Sequence, residues 1–94
     1  MSDKTTVSLG SALDIMHANA LKERLQTALQ KKSHIVLIAD KVERADTAGL
    51  QLIYAFKTAV ELDQKQLSWQ KPTNALIQAS EMLGMRESLS LPAV

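Results

Sequence analysis

The chain has 94 residues, no cysteine and a net charge of +1, from 11 basic and 10 acidic side chains. That length is one domain near the lower limit for an ordinary core, and the lack of cysteine excludes disulfides and thiolate chemistry. So balanced a charge sets up no field to gather a polyanion, which argues against nucleic acid and anionic membranes as partners.

With 46% hydrophobic residues, and Tyr54, Phe56 and Trp69 as the only aromatics, the core is expected to be aliphatic. In chain order, residues 5–9 (TTVSL) are β-branched or apolar and stop at Gly10, which predicts a strand. A short extended piece over Ala12–Ile15 follows. From Asn19 to Lys31 the period becomes helical, with Leu21, Leu25, Ala28 and Leu29 on one face and Lys22, Glu23, Gln26 and Gln30 on the other. Asn19 is the expected cap, and Lys31-Lys32 suits the negative end of the helix dipole. That pair and Lys65 are expected as solvated rims of turns. His34–Ala39 (HIVLIA) is apolar almost throughout and predicts a strand buried on both faces, in a central parallel position.

Asp40–Ala45 is a polar connection, after which Asp46 opens a second helix over Thr47–Leu62. Beyond the turn Asp63–Gln66, Leu67–Gln70 alternates as a short strand. Pro72-Thr73 starts a third helix that ends at Gly84, with Met85 placed for the apolar contact of a glycine-terminated helix. The tail Ser88–Leu91 alternates once more before Pro92. The order β-(β)-α-β-α-β-α-(β) predicts one small α/β domain over residues 1–94, its sheet covered by helices on at least one face. No apolar run approaches the length of a membrane span, and MSDKTTVSLG has no apolar leader core. A cytoplasmic protein with no direct membrane insertion is expected.

The three glycines, Gly10, Gly49 and Gly84, are too far apart for a phosphate-binding loop or a dinucleotide fingerprint. His17 and His34 lack partners at metal-ligand spacing, and no serine sits in a nucleophile elbow. Acidic residues are scattered singly. No catalytic residue, metal site or cofactor is therefore expected, and an enzyme is disfavoured.

Attention falls instead on Asp46-Thr47-Ala48-Gly49. Asp46 can accept from the backbone N–H groups of the first helical turn, a cap worth on the order of 1 kcal/mol. Thr47 is then the first helical residue, and Ala48 and Gly49 leave the backbone open to close approach. A phosphoryl group on Thr47 would add nearly two negative charges at a helix end that tolerates anions, beside an Asp46 that repels them. The tetrad fits a plain cap as well as a switch. Along the helix, Gly49, Leu52, Ile53, Phe56, Ala59 and Val60 make the expected core face. Thr47, Leu50, Gln51 and Tyr54 form an outward stripe at i, i+3, i+4, i+7, a candidate partner-docking surface.

The segment Val42–Ile53 (VERADTAGLQLI) resembles the central motif of STAS domains, the anti-sigma-factor-antagonist family. Ala12-Leu13-Asp14-Ile15 with the amphipathic helix after it resembles the same family, and Leu67–Gln70, then Ala75-Leu76 and Leu83-Gly84-Met85, resemble its bacterial stand-alone members. Ser11 stands where the family usually has glycine, and Thr47 where serine is commoner. The resemblance implies a mixed sheet of four to five strands packed with three to four helices. It implies that Thr47 is the phosphorylated residue, with Asp14 near the same surface. The implied partners are an anti-sigma or serine/threonine-kinase-type protein, bound by the unphosphorylated form, and a phosphatase that resets it. Asp14, Asp46, Thr47, Ala48, Leu50, Gln51 and Tyr54 would make the contact. An alternative within the same resemblance is an accessory subunit of an ABC-type lipid transport complex, docked on its ATPase through the same helix.

Overall fold

The computed structural model describes residues 4–31 and 33–92. Its elements are β1 (Lys4–Ser8), β2 (Ala12–Leu13), α1 (Ala18–Leu29), β3 (His34–Ile38), β4 (Arg44–Ala45), α2 (Thr47–Leu62), β5 (Leu67–Gln70) and α3 (Asn74–Met82). The α/β architecture expected from the sequence is present. Its strands divide into a three-stranded sheet, β1-β3-β5, and a separate pair, β2-β4. Every pairing among the described residues is parallel.

Strand alternation and register explain where the core sits. Thr5↔Ile35↔Leu67 and Val7↔Leu37↔Trp69 stand side by side on one face of the sheet. Ile35 and Leu37 are fully buried there, in one cluster with Leu21, Leu25 and Ala28 of α1 and Ile53, Phe56 and Val60 of α2. The other face carries exposed Thr6, Ser8, Ser68 and Gln70 around Val36 and Ile38. The HIVLIA run is central and parallel, as its composition predicts, but among the described residues its second face is not under helices. Val36 is buried between neighbouring strands and lies outside the core cluster. Flanking strands on both sides of β3 shield a small β-branched side chain without a covering layer.

Helix ends account for several local outcomes. Asn19 is not the cap of α1; the N-cap is His17, which makes no side-chain capping bond. The cap lies two residues earlier because Asp14 turns the chain, its Oδ1 and backbone carbonyl each accepting from the His17 N–H at 3.1 Å. At the other end of α1, Lys65 is no solvated rim. Its ammonium donates to the carbonyls of Leu29 (3.0 Å) and Lys31 (2.8 Å), closing groups that the helix itself leaves open. Lys32 lies outside the described residues.

α3 ends as its sequence predicts. Gly84 takes φ +70°, Met85 N–H donates to Ser80 at 2.7 Å and Gly84 N–H to Glu81 at 3.0 Å. That is the glycine-terminated pattern in which Met85 packs back on the core. The tail differs from its alternating pattern. Residues 86–90 form consecutive turns, held by Leu89 N–H to Met85 and Leu91 N–H to Arg86, and no strand forms. Leu89 and Leu91 are nonetheless buried, and the Leu89 carbonyl takes the Trp69 indole N–H at 2.8 Å. The alternation records burial of every second residue, which a turn series with Ser90 at φ +59° satisfies as well as a strand would.

Candidate functional site

The site is built where β4 hands the chain to α2. Arg44 and Ala45, expected as polar connection, pair with Ala12 and Leu13 to make β2-β4. The ladder continues through Glu43 N–H to Ser11 at 2.8 Å and Asp46 N–H to Leu13 at 2.9 Å. Two residues are too short for any periodicity to show in the sequence. Yet this pairing brings the Leu13-Asp14 segment against the Asp46 turn, across more than thirty residues of chain.

Asp46 has extended backbone (φ −119°, ψ 177°) and caps α2, its Oδ1 accepting from Gly49 N–H at 2.9 Å. Its Oδ2 accepts from the Ile15 N–H at 3.3 Å, so one carboxylate ties two segments together. Gly49 is buried against β2. A Cβ built there would lie 2.1 Å from the Leu13 carbonyl oxygen, which is why no larger residue fits without a shift of backbone.

Thr47, first residue of α2, is exposed, and Ala48 beside it is half-buried. Its hydroxyl makes no hydrogen bond among the described residues. Gln51 and Tyr54 follow on the same outward face, Tyr54 being 46% exposed. Thr47, Gln51 and Tyr54 therefore form the expected stripe. Leu50 does not belong to it: it is fully buried and part of the core cluster. Successive helix residues turn by about 100°, and the arc buried here runs from Phe56 through Gly49 and Ile53 to Leu50. Leu52 and Ala59, expected on the core face, lie half-buried at its margin. The helix sits rotated toward Leu50, so a leucine expected on the outward stripe goes inward.

Asp14 stands beside this turn, its side chain only 14% exposed. His17 Nδ1 donates to its Oδ1 at 2.6 Å, and Arg44 Nη2 lies 3.3 Å from its Oδ2. The His17 side-chain bond is the main cause holding the Asp14 carboxyl below its ordinary value of 3.8. The backbone N–H of His17 and the charges of His17 and Arg44 act the same way, against partial burial, which raises it. Asp46, the residue before Thr47, is thus tied to the Asp14 turn through the Ile15 N–H.

Sequence reasoning missed the neighbours of Asp14. Ile15 is 71% exposed and Met16 85% exposed, and they belong to a turn, not to the end of a strand. With Asp14, Arg44, Ala45 and Asp46 they line a surface depression of about 370 Å³. The signal that was available is that two large apolar residues follow a turn-forming Asp outside any helical or strand period.

Among the described residues no cluster of His, Asp or Glu has the arrangement of a metal site. No helix among them is long and apolar enough to cross a membrane. A protein-family model described as "Mlab, STAS domain" matches residues 1–92. No curated protein matches the chain.

Proposed function

The chain belongs to the STAS-domain family, and from that premise we propose that it is a non-enzymatic module binding an anti-sigma-type kinase through the start of α2, with Thr47 phosphorylation as the release signal. STAS domains are regulatory, protein-binding modules. The observation that supports the finer reading is the exposure of Thr47 at the first position of a capped helix, its hydroxyl unengaged among the described residues. A kinase can reach such a hydroxyl without unfolding anything. The phosphoryl group would then stand at a helix end that accommodates anions, while its charge confronts Asp46. Little change of fold and a large change of surface potential follow, which suits a switch.

The contact surface in this reading is Asp14, Asp46, Thr47, Ala48, Gln51 and Tyr54, without Leu50. A phosphatase would return the protein to its binding state. Incubation with an anti-sigma-type kinase from the same gene neighbourhood and ATP, followed by mass spectrometry, tests it. A species heavier by one phosphoryl group, absent in Thr47→Ala, is the expected result. Pull-downs of that kinase should succeed with wild type and fail with Thr47→Glu. Stable co-purification with an ABC-type ATPase, indifferent to Thr47→Glu and without any phosphorylated species, would replace this reading with the transporter-subunit one.

A further inference from the structure

We propose that Asp46 relays the charge at position 47 to the Asp14–His17 turn, so that a negative charge on Thr47 loosens the Ile15-Met16 segment on the binding surface. The inference rests on reading Thr47 as the residue that gains charge, and it concerns what that charge does inside the molecule.

The turn has two fixed ends and few outside ties. Before it, Leu13 is buried, its carbonyl accepting the Asp46 N–H at 2.9 Å and lying where a side chain at Gly49 would have to stand. After it, α1 begins and is anchored by buried Leu21. Asp14 knits the turn internally through His17. Outward, it is held to the α2 cap by the Asp46 Oδ2 bond to the Ile15 N–H and to β4 by the Arg44–Asp14 ion pair.

Both outward ties respond to an anion at position 47. Asp46 holds Gly49 N–H at 2.9 Å and Ile15 N–H at 3.3 Å, so the longer, weaker arm is the one to yield when the carboxylate is repelled. The capping arm also gains from the helix dipole, and the Ile15 arm does not. Arg44 is 70% exposed along its side chain and can turn toward a new anion three residues on, leaving Asp14. Helix and core stay in place while the turn carrying Ile15 and Met16, both largely exposed, loses its attachments.

Amide hydrogen exchange on the ¹⁵N-labelled protein tests this without a partner. Thr47→Glu should raise exchange at the Ile15 amide roughly two- to tenfold, the effect of losing one ordinary hydrogen bond. The Gly49 amide should remain protected, and neutral Thr47→Gln should leave Ile15 as in wild type. Placed on an Asp46→Asn background, Thr47→Glu should lose most of its effect, because the repelled charge has gone. An Ile15 amide unmoved by Thr47→Glu overturns the relay. So does an increase that Thr47→Gln reproduces, or one that persists in full with Asp46→Asn. Melting curves of each variant verify that the fold is intact. The charge variant needs no kinase and the mass measurement needs no relay, so either idea can fail while the other stands.

Discussion

The starts of α2 and α3 are built from the same parts and put them to different ends. At α3, Thr73 is the cap: its Oγ1 accepts from Leu76 N–H at 3.2 Å and donates to the Val42 carbonyl at 2.6 Å. Both capacities of the hydroxyl are engaged, and the helix is pinned to the chain that leaves β3. At α2, the cap is Asp46, and the threonine is displaced by one position, to Thr47. The carboxylate does the pinning, toward Gly49 and Ile15, and the hydroxyl is left at the surface. A threonine in the capping position is structural; one residue later it is available for chemistry.

That contrast can be strained at several points. The largest effect is expected from Gly49→Ala. Alanine is favoured over glycine in helices by about 1 kcal/mol, so the propensity alone predicts stabilisation. The Leu13 carbonyl in the way should reverse the sign, giving a net loss of roughly 1–3 kcal/mol in chemical denaturation. A stabilised variant would mean that α2 is free to stand off from β2, and the close junction with Asp14 would be lost as an argument.

Next comes Thr73→Ala, which removes a cap and leaves the Val42 carbonyl unpaired, for a loss of about 1–2 kcal/mol. Thr47→Ala should change stability by less than about 0.5 kcal/mol, since an exposed side chain without hydrogen-bond partners among the described residues is removed. Measured side by side, equal losses at the two threonines would erase the distinction between them.

The smallest effect is expected on acidification. Asp14 has a carboxyl pKa lowered in the folded protein, so its contribution is complete above the ordinary value of 3.8 and disappears as pH falls through the folded value. The melting temperature of wild type should therefore converge on that of Asp14→Asn below about pH 4 and exceed it above. A gap that widens toward acid would contradict the His17 and Arg44 contacts as the cause.

How much of this was legible beforehand follows from the range of each interaction. Caps and glycine stops join residues three to five apart, so the sequence carries them openly: Asp46, Thr73 and the Gly84-Met85 ending all stand where their residue types predict. The α1 start shows the limit. Asn19 has the right chemistry for a cap, but Asp14 turns the chain early enough for the helix to begin before it. Lys65 reads as surface because nothing local indicates that its ammonium will meet carbonyls at the end of α1, more than thirty residues away.

By itself the sequence determined the α/β alternation, the central place of β3, the extent of α2 and the position of Thr47 at its first turn. Periodicity, turn chemistry and capping are properties of neighbouring residues, and these suffice for that much. The tertiary structure alone decided that Leu50 turns inward and that the described residues leave Thr6, Ser8, Ser68 and Gln70 exposed on one face of the sheet. It also decided that Arg44 and Ala45 pair with Ala12 and Leu13, and that Ile15 hangs from the Asp46 carboxylate. Each of those depends on how a helix is rotated or which distant strand arrives beside it. Such choices are set by packing the whole core at once, and no local stretch of sequence holds them.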